Sequence, residues 1–263
     1  MGSATTQALA ATTKALAATS GIDLNVAGEL FAAARAIGDS SQLSGALADS
    51  AAAPAARRKV VTDVFGPSFS PVTVGLLSGA VDERWSSADD LVDSIEELAI
   101  RSAAISEPNA DVEAELFRFS RTVAENPELE LALGSRLGKT SEKGVLIEKL
   151  LGGRASAATT LIVASLVQQP RERRVRQMLT RATALVADQR GRIVATVMSA
   201  TPLEIAQLER LAGTLSQRYG REVSLNTVVD PTVVGGLRVQ IADDVIDASV
   251  SSRLADLRQR LAG

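Results

Sequence analysis

Residues 134–140, with the sequence GSRLGKT, form the one stretch that could bind a nucleotide. A phosphate-binding loop needs four residues between its two glycines, so that successive backbone N–H groups surround the phosphates. Here Gly134 and Gly138 are separated by three residues, and no later apolar strand ends in an Asp that would hold magnesium. We therefore interpret the stretch as a loop between helices. A phosphotransferase or nucleotidase that uses Lys139 is an alternative, and nucleotide-dependent thermal stabilisation would reveal it.

The densest basic cluster consists of Arg171, Arg173, Arg174 and Arg176. Guanidinium groups can bind a phosphate or an acidic partner helix, although a run of charges is usually a solvated face. Nucleic acid is not expected, because Glu172 interrupts the run and no aromatic side chain accompanies it for base stacking. We treat the four arginines as candidate partner contacts, with simple solvation as the alternative.

Three carboxylates lie close together near the C-terminus, at Asp243, Asp244 and Asp247. Their spacing lacks the glycine and the distal glutamate of a calcium loop, so we predict a polar turn. The chain contains no His and no Cys, which removes the commonest general base, thiolate nucleophiles and the usual zinc ligands. An enzyme that uses Asp, Glu, Lys, Ser or Arg stays possible, but we identify no catalytic residue, no cofactor site and no metal site in the sequence.

The composition indicates a globular protein with aliphatic cores. Of its 263 residues, 46% are hydrophobic and only 3% are aromatic, and the net charge is −3. That charge argues against a nucleic-acid-binding protein, which is normally basic over at least one domain. The longest apolar run, at 157–167, is shorter than the about 20 residues that cross a bilayer, and the N-terminus lacks the basic region of a signal peptide. We expect no direct membrane insertion.

The hydrophobic pattern changes once along the chain. Apolar residues recur at helical spacing as far as about residue 190, and they then alternate with polar residues as in strands. The predicted fold is mostly α (α+β overall), with two tandem helical bundles followed by a small C-terminal α+β domain.

The helical part contains an apparent repeat. Glu29-Leu30-Phe31 recurs as Glu115-Leu116-Phe117, at an offset of 86 residues (116 − 30 = 86). At the same offset, Val60-Val61 corresponds to Leu146-Ile147. We predict a duplicated bundle, with coincidental helical spacing as the alternative. The predicted parts are a first copy at 1–105, a second copy at 106–190 and the α+β domain at 191–263.

Residues 230–250, DPTVVGGLRVQIADDVIDASV, organise the last third of the chain. Asp and Pro end an extended run, because Asp caps turns through its side chain and Pro has no N–H for a ladder. The Gly-Gly pair permits backbone angles that are closed to other residues, which suits the start of the alternating strand that follows. An acidic turn, a short return strand and a serine-capped helix complete the pattern. Its signature residues are Asp230, Pro231, Gly235, Gly236, Asp247 and Ser249.

This order of features resembles the C-terminal signature of the delta subunit of the F-type ATP synthase, the family of the mitochondrial oligomycin-sensitivity-conferring protein. The segment RIVATVMSATPL at 192–203 is similar to the same family's segment at that place. The second copy, including AENPELELALGSRLGKTSEKGVLIEKLLGG at 124–153, resembles the family's N-terminal helical domain. The family usually has a single helical bundle, so the first copy is an additional domain.

The resemblance implies a non-catalytic peripheral-stalk (stator) subunit of the proton-translocating ATP synthase. In that family the helical domain binds alpha-subunit N-termini and the C-terminal domain meets the membrane-anchored b subunit, so that the catalytic head does not turn with the rotor. It also implies a position at the cytoplasmic face of the plasma membrane, reached through the complex. We add Leu254 and Leu257 of the terminal helix to the candidate partner contacts. The first copy would supply a second alpha-binding groove or a further clamp on the stalk.

The alternative is a stand-alone helical adaptor that binds an amphipathic helix of another partner, with the terminal motif a coincidence. Bundles of small side chains can leave a shallow apolar groove that accepts such a helix. Binding of the alpha subunit's N-terminal peptide discriminates between the two functions.

Overall fold

The chain separates into two compact units, one up to Val186 and one from Ala187 onward. The first unit is helical, and the second combines a four-stranded sheet with helix, so the predicted mostly α, α+β fold is confirmed. No helix among the described residues is long and apolar enough to cross a membrane. The computed structural model describes residues 2–135, 139–171, 173–233, 235–241 and 244–250.

Short loops connect the helices of the first unit, and serine or proline fixes several of their starts. Ser70 and Ser156 cap α5 and α10 by accepting from the backbone N–H three residues on, and Pro54, Pro71 and Pro127 occupy first-turn positions. The helices are α1 (Ser3–Ala17), α2 (Leu24–Gly38), α3 (Ser41–Ala48), α4 (Pro54–Phe65), α5 (Pro71–Asp82), α6 (Ala88–Ser106), α7 (Val112–Glu125), α8 (Pro127–Gly134), α9 (Thr140–Leu151), α10 (Ala157–Gln168) and α11 (Val175–Gln189).

Helix α6 is buried along nearly its whole length. It packs against α1, α2, α3 and α5 of the first copy and against α10 of the second copy. Leu91, Ile95 and Leu98 are each at most 2% exposed, and they join one apolar core that runs from Ala8 to Val186. The helical unit therefore has a continuous core to which both predicted copies contribute.

Helix boundaries repeat along the first unit at the offset found in the sequence. Helices α3 and α8, α4 and α9, and α5 and α10 each begin and end 86 positions apart (127 − 41 = 86). The paired helices have equal lengths and equal spacing along the chain, which supports the predicted duplication. The boundary between the copies at residue 105 stays a prediction.

One hydrogen-bonded cluster joins α2 to the start of α5 in the first copy. Glu29 Oε2 accepts from the Ser70 backbone N at 3.0 Å, from Ser70 Oγ at 2.8 Å and from Thr73 Oγ1 at 2.5 Å. A carboxylate at this place satisfies backbone groups that a helix N-terminus leaves free and complements the helix dipole. We call this Glu–Ser–Thr arrangement the carboxylate clip.

The second copy contains the same carboxylate clip between α7 and α10. Glu115 Oε2 accepts from the Ser156 backbone N at 2.9 Å, from Ser156 Oγ at 2.6 Å and from Thr159 Oγ1 at 2.6 Å. Each of the three residues lies 86 positions after its counterpart. The repeat therefore conserves a specific polar contact as well as apolar spacing.

A buried cation closes the end of α3 in the first copy and the end of α8 in the second copy. Arg57 Nη1 donates to the carbonyl oxygen of Asp49 at 2.9 Å. Its counterpart Lys143 donates from Nζ to the carbonyl oxygens of Leu133, at 3.0 Å, and Ser135. Burial lowers the pKa of the Lys143 ammonium. These contacts satisfy carbonyl groups that the helix C-termini leave without partners.

The described residues of the C-terminal unit form a sheet with the strand order β2-β1-β3-β4, and helix α12 connects two of its strands. Strand β1 pairs parallel with β2 and antiparallel with β3, and β4 pairs antiparallel with β3. A small core unites Val197, Leu215, Val223 and Val239. The elements are β1 (Arg192–Ser199), α12 (Ile205–Tyr219), β2 (Glu222–Val229), β3 (Leu237–Ile241) and β4 (Asp244–Asp247).

Replacement of either clip carboxylate by an amide should lower stability in a pH-dependent way. Burial opposes ionisation of Glu29 and Glu115, but the hydrogen bonds from the Ser and Thr partners outweigh it and lower both pKa values below the ordinary 4.5. The ionised clip therefore contributes stability above pH 4.5, and this contribution is lost as the pH falls through the lowered pKa.

We expect Glu29→Gln and Glu115→Gln each to lower the free energy of unfolding by about 1–2 kcal/mol at pH 7. The deficit should shrink below pH 4.5, which urea unfolding at a series of pH values would measure. Glu148→Gln, at an exposed position on α9, is the control. A deficit that is absent at pH 7, or that is unchanged in acid, would contradict the role given to the clip.

Candidate partner-binding surfaces

Two of the predicted arginine contacts are engaged within the chain. Arg173 makes a two-fold hydrogen bond to Glu96 of α6, with both N···O distances 2.7 Å. Arg171 donates to Asp93 on the same helix, one turn away. Both guanidinium groups are only about one-fifth exposed. The sequence could not separate a solvated charge run from this internal network, because the partners lie on a helix more than seventy residues earlier.

Arg171 holds the turn between α10 and α11 in an unusual conformation. Its φ of 43° lies in the left-handed region, which a residue with a Cβ occupies at a cost in conformational energy. Burial, together with the neighbouring charge of Arg173, lowers its pKa to about 10. The ion pair with Asp93 is therefore part of what fixes the start of α11.

The other two arginines border a groove of about 640 Å3 between α8 and the start of α11. Arg174 is exposed, and Arg176 pairs with Glu130 at 3.1 Å. Leu131 also lines this groove, and it is 74% exposed. Apolar surface beside an available cation is typical of a contact for another chain.

The nucleotide-like stretch lies between two helices. Helix α8 ends at Gly134 and α9 begins at Thr140, so the segment before the loop is helical rather than a strand. Lys139 is exposed and lies 3.6 Å from Glu142, and residues 136–138 lie outside the described structure. This geometry does not favour a phosphate-binding loop, which follows a strand.

The Asp-Pro part of the signature closes a turn against the sheet. Asp230 accepts from the Thr232 backbone N at 2.9 Å and from Thr232 Oγ1 at 2.7 Å. Its own backbone N donates to Ser199 O at 2.8 Å, where β1 ends. Pro231 follows in the turn. These contacts position the chain for its return as β3.

The Gly-Gly part of the signature brings two backbone segments into contact. Gly235 and Gly236 have φ values of 64° and 80°, as the sequence predicts for backbone angles that favour glycine. A Cβ on Gly236 would lie 2.4 Å from Ala248 O. The Val250 backbone N donates to Gly235 O at 3.1 Å. The pair therefore fixes the point at which the C-terminal segment crosses the start of β3.

Two of the acidic residues near the C-terminus, Asp244 and Asp247, are the first and last residues of β4. Asp247 accepts from the Ser249 backbone N at 3.0 Å, and the hydrogen bonds from Ser249 lower the pKa of this exposed carboxyl. Asp244 accepts from the Tyr219 hydroxyl at 3.3 Å. Within the described part of the chain, no group of carboxylates is arranged to hold a metal ion. Asp243, Leu254 and Leu257 lie outside the described residues.

Two apolar surfaces of the second copy were not predicted. On α9, Val145 and Leu146 are 48% and 37% exposed. A second groove, of about 240 Å3, lies between α7 and the end of α9, with Phe119 and Leu151 among its apolar lining. We call it the α7 groove. The internal repeat carries a signal for such sites, because Lys59 stands where the second copy has the exposed Val145.

Comparison with known proteins gives the family. A family model described as "ATP synthase delta (OSCP) subunit" matches residues 98–261, which include the whole second copy and the signature. The chain belongs to this family. A protein of Leifsonia xyli subsp. xyli named "ATP synthase subunit delta" is 50% identical over the full length of both chains. A protein of the same name from Streptomyces avermitilis is 40% identical, over 91% of this chain and 89% of its own.

Family membership confirms the predicted class of function. The chain is a non-catalytic, peripheral-stalk subunit of the membrane-associated ATP synthase, and the stand-alone adaptor is not favoured. The match to the family model begins within α6, so helices α1–α5 lie outside it. The relative from Leifsonia nevertheless aligns over these helices as well.

Removal of the Arg173 guanidinium should destabilise the helical unit. The variant Arg173→Met leaves Glu96, whose side chain is 6% exposed, without its two-fold partner. We expect a loss of about 3 kcal/mol in the free energy of unfolding, since the buried carboxylate then keeps only its longer contact, 3.7 Å, with Arg171. Arg174→Met is the matched control and should change stability by less than about 0.5 kcal/mol. Equal urea midpoints for the two variants would show that the ion pair contributes nothing.

Proposed function

We propose that this subunit ties the catalytic head of the ATP synthase to its peripheral stalk through two different surfaces. The helical unit binds alpha-subunit N-termini, and the C-terminal unit binds the end of the membrane-anchored b subunit. The subunit thereby lies at the cytoplasmic face of the plasma membrane without entering it. The observation that carries this proposal is the family match, which extends over parts of both units.

The structure of the helical unit supports a mechanical role. A tether that holds the head against the rotor must transmit torque without deforming, and close-packed interiors resist deformation. Here α6 joins both copies in one core, and the carboxylate clips fix the starts of α5 and α10. The described residues therefore provide rigidity and exposed surfaces, which are the requirements of a tether.

We also propose that residues 1–105 are a duplicate of the family's helical domain. The equal helix spacing, the repeated carboxylate clip and the repeated buried cation support this origin. In this proposal the helices α1, α2, α3 and α5 pack on α6 and so stiffen the tether.

Calorimetric titration of the full chain tests the two-surface proposal. The ligands are the N-terminal peptide of the same organism's alpha subunit and the C-terminal segment of its b subunit, with scrambled peptides as controls. We expect both to bind saturably with a negative heat-capacity change, because apolar surface is buried. Each should bind equally well when the other is already present.

The possible failures of this titration are distinguishable. If neither peptide binds while the chain is folded, both proposed contacts are wrong. If the two peptides compete, the chain has one docking surface and cannot bridge the head and the stalk in the way proposed.

A further inference from the structure

Strand β2 lies at one edge of the C-terminal sheet, and β4 lies at the other. On one side, β2 pairs with β1 along its whole length, Glu222–Val229. On its other side, no strand of the described residues pairs with it. An edge strand keeps a row of backbone N–H and C=O groups that no neighbouring strand satisfies.

The hydrogen bonds at the two ends of β2 show which of its backbone groups point away from β1. Along a strand, the N–H and C=O groups of successive residues point to opposite sides. Asp230, just after β2, donates its backbone N–H to Ser199 O of β1 at 2.8 Å, so even-numbered residues point toward β1. Val223 donates its backbone N–H to Ser216 Oγ of α12 at 3.0 Å, so odd-numbered residues point outward. The outward groups that follow belong to Leu225, Thr227 and Val229.

These outward groups have no hydrogen-bond partner within the described structure. Each of the three residues offers one donor and one acceptor, and successive outward residues are about 6.6 Å apart along the strand. An extended polypeptide presents C=O and N–H groups with the same repeat, which is the basis of recognition by strand addition. The backbone of β2 therefore defines an extended strand as the occupant of this edge.

Strand β2 also lacks the features that protect most edge strands. Such strands are usually very short, or they carry Pro, Lys or a bulge that prevents pairing with another chain. β2 contains neither Pro nor Lys, and its ladder with β1 runs from Glu222 to Val229 without interruption. Strand β4, in contrast, has four residues and begins and ends with a carboxylate, at Asp244 and Asp247. One edge of the sheet is protected and the other is open.

The side chains of β2 define the rest of the occupant. Leu225 packs on the core between the sheet and α12, and Val229 lies on the same face and is 48% exposed. Apolar side chains of an added strand would therefore continue this face. The residues between Glu222 and Asp230 carry no charge. Basic residues on both sides of the added strand would complement these two carboxylates.

We propose that the β2 edge binds an extended segment of another protein by strand addition. The segment has about five uncharged residues with apolar side chains at alternate positions, and a basic residue on each side. Backbone hydrogen bonds to Leu225, Thr227 and Val229 supply the affinity, and the side chains beside Leu225 and Val229 supply the selectivity. This surface is additional to the two contacts of the proposed function and does not depend on them.

Peptide titration into the full chain tests the proposal. The probe is the synthetic peptide KVTVTVK, and the control peptide has the same sequence with every backbone amide between the two lysines N-methylated. The control keeps the side chains and the charges but cannot donate backbone hydrogen bonds. We expect saturable binding of the probe, at least about tenfold tighter than that of the control, because each lost hydrogen bond costs about 1 kcal/mol.

Two variants of one exposed residue locate the site on β2. Thr227→Pro removes the central outward N–H, whereas Thr227→Val keeps it. Proline is tolerated in an edge strand where the N–H faces solvent. We expect Thr227→Pro to lower the affinity for the probe at least about fivefold and Thr227→Val to change it less than about twofold. Circular dichroism would verify that both variants keep the fold.

Amide hydrogen exchange, resolved by residue with NMR, needs no variant and keeps the test valid if Thr227→Pro folds poorly. In the free chain, the amides of Leu225, Thr227 and Val229 should exchange faster than those of Asn226 and Val228, which point toward β1. Saturating probe should slow exchange of the three outward amides at least about tenfold, since a hydrogen-bonded amide exchanges only when it opens.

Four results would overturn the inference. If the probe does not bind, or binds without slowing the outward amides, the edge is not its site. If these amides already exchange slowly in the free, dilute chain, another part of the chain covers the edge. If they become protected only as the chain's concentration rises, the occupant is a second copy. If the b-subunit segment protects the same amides, the edge belongs to the stalk contact and is not an additional surface.

Discussion

The burial of α6 is the constraint on which the helical unit depends. Helix α6 buries the apolar side chains of Leu91, Ile95 and Leu98 and also the carboxylates of Glu96 and Glu97. It can be stable only if neighbouring elements pack against the apolar side chains and pair with the carboxylates. The first copy and α10 cover the apolar side chains, and the arginines before and within α11 pair with the carboxylates. The other helices of the first copy do not cover α6 without α10 and the arginines of the second copy, which explains why the two copies share one core.

Comparison of the two copies separates what the fold requires from what a partner would use. The carboxylate clip and the buried cation recur at equivalent positions, so they are requirements of the bundle. Lys59 stands where the second copy has the exposed Val145, so this surface position differs between the copies. Within one chain, the first copy thus serves as an internal reference for the second.

Features that depend on local sequence were predicted, and those that depend on long-range contacts were not. Helical and strand periodicity, the Gly235-Gly236 backbone angles and the offset of 86 follow from neighbouring residues or from direct comparison. The pairing of Arg173 with Glu96 does not, because a charge run has the same sequence whether it is solvated or paired. The shared core and the α7 groove also required the structure, since both depend on which helix surfaces meet.

The central claim is that both copies unfold together because they share the core around α6. The single tryptophan, Trp85, reports on the first copy: it is 7% exposed and its Nε1 donates to Ala80 O at 2.8 Å. Ile147→Ala removes a fully buried side chain from α9 of the second copy and should cost about 2–5 kcal/mol. Urea unfolding followed by Trp85 fluorescence should then shift to a lower midpoint, in step with the circular dichroism of the helices. An unchanged fluorescence midpoint would show that the copies fold independently and would contradict this account.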